Sequence, residues 1–281
     1  MEDLTTTWNC LTLSDKKGPG CCLDEEFSSE EYLIASHFLT KRALNIDATA
    51  KTFTPLWRSR NGFKVHNVGN HKIFFVFDNK TNVDKVLMSE PWSFDKHLVV
   101  MQCYDNALSI DKLPFNKTTF WVQVHGMPTR YMNVKVAEKI YGVLGQIIPP
   151  KDLAKCEGEN FIWIRVSMDI SGPLCRGRLV SLGKDKEVWV SFKYERLPNI
   201  CYWCGCLDHD DKDCGIWLDS EGMLLPNQRQ FGSSLRAPPF VPSCRTMISV
   251  LGFYKSKVGP SHHGMNNNHV HASNEHETDV H

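Results

Sequence analysis

Apolar and polar positions along this chain change period several times, and each change marks an element. Tyr32–Leu39 (YLIASHFL) reads as a strand. Asp47 then offers a cap for a helix whose inner face is Ala50, Phe53, Leu56 and Trp57. Phe63–Val68 and Lys72–Asp78 flank Gly69-Asn70 as a hairpin, and Ile73 to Phe77 is apolar at every position, as in a strand buried on both faces. Thr81–Ser89 predicts a short helix with Val83, Val86 and Leu87 inward, ended by Pro91. Leu98–Met101 is another buried strand. The order β-α-β-β-α-β is the ferredoxin-like pattern, which RNA-recognition domains also use.

A second α/β unit follows a linker over 105–118. Phe120–His125, Phe161–Ile170 and Val188–Glu195 alternate as strands, and Gly177–Leu182 is a further one. Asn133 caps a helix with Val136, Ala137, Ile140, Tyr141 and Leu144 inward, and Gly145 closes it. Successive strand residues face opposite ways. One face is therefore aliphatic, and the other holds Trp121, Trp163 and Trp189 beside Arg165 and Lys193. Aromatics and cations on an open sheet face stack single-stranded bases and hold their phosphates. The alternative partner for that face is the first unit.

Composition adds less. Across 281 residues the formal net charge is zero, but it is segregated. Residues 1–31 carry a net of −6, whereas 48–77 carry five cations and no acid. Arg58, Arg60 and Lys64 of that basic run are candidate phosphate contacts. The eleven cysteines, the lack of a basic and apolar leader, and the lack of an 18-residue apolar run point to a reduced protein of the nucleus or cytoplasm. Residues 1–29 and the His-rich end, Ser261–His281, read as disordered. The expected layout is a disordered acidic start (1–29), a ferredoxin-like domain (30–104), the linker (105–118), a second α/β unit (119–200), a small metal loop (201–214) and a mostly disordered tail (215–281). The class is α+β.

The metal loop is CYWCGCLDHDDKDC, a C-x2-C-x4-H-x4-C spacing that nominates Cys201, Cys204, His209 and Cys214. Three thiolates and an imidazole suit one closed, structural Zn²⁺. Cys206 is an extra thiol in the loop, but only Cys204 stands at x2 from Cys201. Tyr202 and Trp203, between the first two ligands, are candidates for stacking on bases or for docking the loop on its own protein. Four acids among 208–213 against Lys212 argue against a strong phosphate attraction by the loop itself.

PWSF at Pro91–Phe94, FWVQVHGMP at Phe120–Pro128, SGPLCRGR at Ser171–Arg178 and VWVSFKYERLP at Val188–Pro198 precede the first ligand in that order. Together with the loop they resemble a plant family over about residues 30 to 214. Its members carry a domain-of-unknown-function module and then a zinc knuckle, and look like the first-open-reading-frame, gag-like proteins of LINE retrotransposons. The resemblance implies zinc and nucleic-acid binding without catalysis. Asp208 departs from it, because such knuckles usually carry Gly before the His. The leading expectation is a non-enzymatic, single-stranded nucleic-acid-binding protein, with no small-molecule substrate and no membrane partner. The alternative is a self-associating interaction module in which the knuckle is a staple. P-loop, nucleophile-elbow and H-E-x-x-H motifs are absent from the sequence.

Overall fold

The computed structural model describes residues 31–105, 109–149, 161–183 and 186–240. The expected disorder at 1–29 and Ser261–His281 lies outside them. Among the described residues, an antiparallel sheet, a mixed sheet and four short helices give an α+β architecture.

The first sheet has strands β1 (Tyr32–Phe38), β2 (Lys64–Gly69), β3 (Lys72–Phe77), β4 (Trp92–Phe94) and β5 (His97–Tyr104), in the order β2-β3-β1-β5-β4. All neighbours are antiparallel. Helices α1 (Ile46–Trp57) and α2 (Lys80–Met88) cover one face. Their Phe53, Trp57, Val83 and Val86 join Ile34, Phe38, Phe75 and Val99 in one apolar core. Burying each of these aromatics contributes roughly 1.5–3 kcal/mol. Ser36, buried in that sheet, satisfies its hydroxyl on the Ile73 carbonyl at 2.7 Å.

Two details of α1 differ from expectation. Asn45, not Asp47, is the cap: its Oδ1 accepts from the Ala48 N–H at 3.0 Å. The inward stripe is Thr49, Phe53 and Trp57, a spacing of four, and Leu56 is 52% exposed. A helix turn of 3.6 residues rotates Leu56 off that stripe.

The second sheet has β6 (Lys117–His125), β7 (Gln146–Ile148), β8 (Phe161–Asp169), β9 (Gly177–Ser181), β10 (Glu187–Glu195) and β11 (Arg236–Ala237). Its order is β11-β10-β6-β8-β7, with β9 on the other stretch of β10. The run β7-β8-β6-β10 repeats the order β2-β3-β1-β5, with one helix, α3 (Val134–Tyr141), between the first two strands in sequence. Asn133 caps α3 as its sequence implies. The helix ends at Tyr141, with Gly142 as its cap. Gly145 has a different role: at φ 150° its Cα lies against β8, where a Cβ would collide with the Ser167 carbonyl.

The two sheets share a core. Leu98 and Val100 of β5 pack into the same cluster as Phe120, Ile164, Val190 and Tyr141 of the second unit. The junction is also polar. The Arg165 guanidinium donates to the Leu87 carbonyl at 3.1 Å, and Arg196 donates to those of Ser89 and Glu90 at 2.7 and 2.8 Å. Residues 215–240, expected as tail, instead hold α4 (Gly215–Asp219) and β11, which pairs parallel with β10 through Tyr194 and Glu195. No helix among the described residues is long and apolar enough to cross a membrane.

Candidate metal centre and the groove beside it

The chain leaves β10 at Glu195 and enters the knuckle at Ile200, whose side chain is in the main core. A tight turn follows. Cys201 N–H donates to the Cys206 carbonyl at 2.9 Å, and Gly205 N–H donates back to Cys201 at 2.8 Å. Gly205 takes φ 80°, and the Phe231 ring occupies the place a Cβ would fill. Leu174 N–H donates to the Gly205 carbonyl, and Leu207 is buried with the core. The loop is thus clamped onto the second sheet.

This turn brings the donor atoms of Cys201, Cys204, His209 and Cys214 within 4.8 Å of one another. A tetrahedral zinc–thiolate site has ligand–ligand edges of about 3.8 Å, from Zn–S bonds near 2.3 Å. The four donors therefore fit Zn²⁺ with a small contraction, and Cys206 is outside the set. The Asp208 carboxylate lies 2.7 Å from His209 Nδ1, and His209 Nε2 lies 3.2 Å from Cys204 Sγ. The acid holds the ring with Nε2 turned to the metal position. Such a carboxylate–histidine pair fixes the tautomer and raises ligand basicity. Burial pushes the thiols of Cys201 and Cys204 up to about 12 and about 11. Burial also raises Cys214, but hydrogen bonds from His209, Cys201 and the backbone of Ile216 and Trp217 together outweigh it and bring that thiol to about 7. A bound Zn²⁺ would supply the charge that keeps all three as thiolates.

Two further acids of the loop are also engaged. Asp211 accepts from Tyr202 N–H at 2.6 Å and pairs with Arg229 at 3.1 Å; Asp213 pairs with Lys41 at 3.6 Å. Both loop aromatics face the protein. Trp203 is 5% exposed, stacked on Trp217 with ring centres 5.2 Å apart, and Arg229 lies over it. Tyr202 packs at the edge of the main core under the same guanidinium.

The sheet tryptophans separate. Register puts Trp121 opposite Arg165, and Trp163 opposite Gln123, whose other neighbour is Lys193. Trp121 and Trp163 stack with ring centres 3.7 Å apart, and Phe240 covers Trp163 edge-on. Arg165 turns into the junction between units, near Glu90. Trp189 is four residues from Lys193 on β10, about 13 Å along a strand. It lies beyond the last β6 pairing, Ser191 with His125, and is 55% exposed. The basic run also separates. Arg58 and Arg60 are exposed, whereas Lys64 is paired with Glu31 at 2.8 Å, because β1 brings that acid alongside.

Trp189 and Lys193 line a groove of about 470 Å³ together with Arg176, Arg229, Gln230 and Phe231. Arg176 lies over the Phe231 ring at 5.2 Å. The last three residues fall in a segment without apolar periodicity, so sequence reasoning missed them. The only signal was one aromatic beside an arginine, RQF, after the last ligand.

Residues 168–216 match the zinc knuckle family, and residues 28–112 match the domain of unknown function DUF4283. Uncharacterized protein At4g02000 from Arabidopsis thaliana is 26% identical over 130 residues, 46% of this chain and 41% of that protein. The matched stretch thus spans less than half of that relative's length. The chain is similar to a DUF4283 module followed by a CCHC zinc knuckle.

Proposed function

We propose that this is a zinc-binding, non-enzymatic protein that holds single-stranded nucleic acid, of the retrotransposon-derived type its resemblance suggests. The observation that carries the reading is the groove beside the knuckle. It combines an exposed indole on a strand with the cations Lys193, Arg176 and Arg229 and the amide of Gln230. A base has an aromatic face to stack on, worth roughly 1–3 kcal/mol, and its phosphates have cations within the same groove. In this reading the metal is structural: four protein ligands leave no open position for catalysis, and the knuckle's role is to hold Arg229 and Phe231 in place through Asp211 and Gly205. Taking the first unit as ferredoxin-like is supported by the order β2-β3-β1-β5 with both helices on one face.

The test is a titration of labelled single-stranded RNA and DNA at several salt concentrations. Affinity is expected to fall linearly with log salt for the wild type. Trp189→Ala with Lys193→Gln is expected to weaken binding by tenfold or more, and equal affinity of variant and wild type would reject the groove.

The interaction-module reading has its own observation. Ile216, Leu218, Met223 and Leu225 are each at least half exposed in one short stretch after the knuckle. Sedimentation of wild type against Leu218→Ser with Met223→Ser separates the readings: a dimer lost in the variant favours assembly.

A further inference from the structure

The groove is not the largest cavity described by the structure. Where the two units meet there is an open cleft of about 630 Å³. Its walls carry Lys96 from the β4–β5 turn, Arg196 and Asn199 from the segment after β10, and Arg236 from β11. Leu56, exposed at the end of α1, and Pro198 supply apolar surface. Three cations and no carboxylate line the cleft.

The cleft is also held rigid. The Arg196 guanidinium is fixed by the carbonyls of Ser89 and Glu90, and it lies over the Trp92 ring at 5.8 Å. Arg236 donates to the Leu197 carbonyl. The Asn199 backbone N–H donates to the Lys96 carbonyl at 2.7 Å, which ties the two walls together. The nearby acid Asp95 is paired with Arg42 at 2.7 Å and so does not neutralise the cleft. Cations set in place before a ligand arrives spare part of the ordering cost of binding.

We infer that this inter-unit cleft is a second contact site for single-stranded nucleic acid, gripping a phosphate with Lys96 and Arg236 while a base lies on Leu56. The inference rests on the nucleic-acid reading above but uses none of the residues of the groove. An apolar ligand or an apolar peptide would bring no negative charge to Lys96, Arg196 and Arg236, whose protein partners in the cleft are neutral carbonyls. A strand of alternating phosphates and flat bases matches both kinds of wall. Asn199 adds an amide able to meet a base edge.

Lys96 is the clean probe, because its side chain is exposed at the rim and the wall contact it makes is through its backbone. The experiment measures anisotropy of a fluorescein-labelled oligothymidylate against the full chain in a salt series, for wild type, Lys96→Gln, Lys96→Glu and Trp189→Ala. Thermal melts check that each variant is folded. One lost single-strand phosphate contact reduces the salt slope by about 0.7, which is about fivefold in affinity at 0.1 M salt. Lys96→Gln is expected to show that loss, and Lys96→Glu a larger one. Unchanged affinity and slope in folded Lys96→Glu, while Trp189→Ala weakens binding, would overturn the cleft and leave the groove standing. No salt-sensitive binding by the wild type would overturn both.

Discussion

At the residue scale, Asp208 is the position that most repays attention to chemistry. A glycine is usual there, and the acid reads from sequence as one more charge repelling phosphate. In the fold it is the hydrogen-bond partner of the ligand histidine. Asp208→Ala is expected to weaken zinc binding about 10- to 100-fold without changing stoichiometry, measured by competition with a chelator of known affinity. Cys206→Ser is the matched control and should leave affinity unchanged. The clustering of Cys201, Cys204, His209 and Cys214 was legible in the sequence, because their spacing is local and their chemistry admits few alternatives. The roles of Asp208, Asp211 and Asp213 were not, because their partners His209, Tyr202, Arg229 and Lys41 are fixed by turns and by distant elements. The same blindness applied to Lys64, whose partner Glu31 becomes a neighbour only when β1, β2 and β3 assemble.

At the element scale, parity along a strand was legible and what covers a face was not. The alternation in β6, β8 and β10 correctly separated Phe120, Val122, Ile164, Val190 and Phe192 from the tryptophan side. It could not say that β10 is offset past the end of β6, which removes Trp189 from the other two rings. Nor could it say that Phe240 returns over Trp163, since that residue lay in a stretch without periodicity. The consequence is a split in how the tryptophans respond to truncation. Trp163→Ala is expected to cost about 3 kcal/mol, at the low end for a tryptophan because the ring is only half-buried. Trp189→Ala is expected to change stability by less than about 0.5 kcal/mol. Urea melts of the two variants measure both, and a large loss in Trp189→Ala would mean that its ring is structural.

At the scale of the whole molecule, the junction between the units carries a titratable group. Glu90 is buried against Thr119 and near Arg165; burial pushes its carboxyl from the ordinary 4.5 up to about 7, against the pull of those two partners. A raised acid favours folding while it stays protonated. That contribution is fully present below pH 4.5 and is lost as pH rises through about 7, on the order of 3 kcal/mol in all. Glu90→Gln cannot ionise, so melts should show it more stable than wild type at pH 8 and little different at pH 4.5. A wild-type stability that does not fall between pH 5 and pH 8 relative to Glu90→Gln would contradict this. In the sequence, residues 105–118 read as a linker with little periodicity, and the first unit was one of two candidate partners for the tryptophan face; the residues that make the junction were not legible. The return of the chain to β11 has a further consequence. The excursion from Glu195 to Arg236 leaves the end of β10 and returns to pair beside it as β11, so the knuckle is a closed loop and not a pendant on a tether. Sites on a tether are related by an effective concentration averaged over all the tether's conformations. Here that average collapses to one fixed span, and under the proposed function the length of nucleic acid covered is a property of the fold, as the spacing of teeth is a property of a comb.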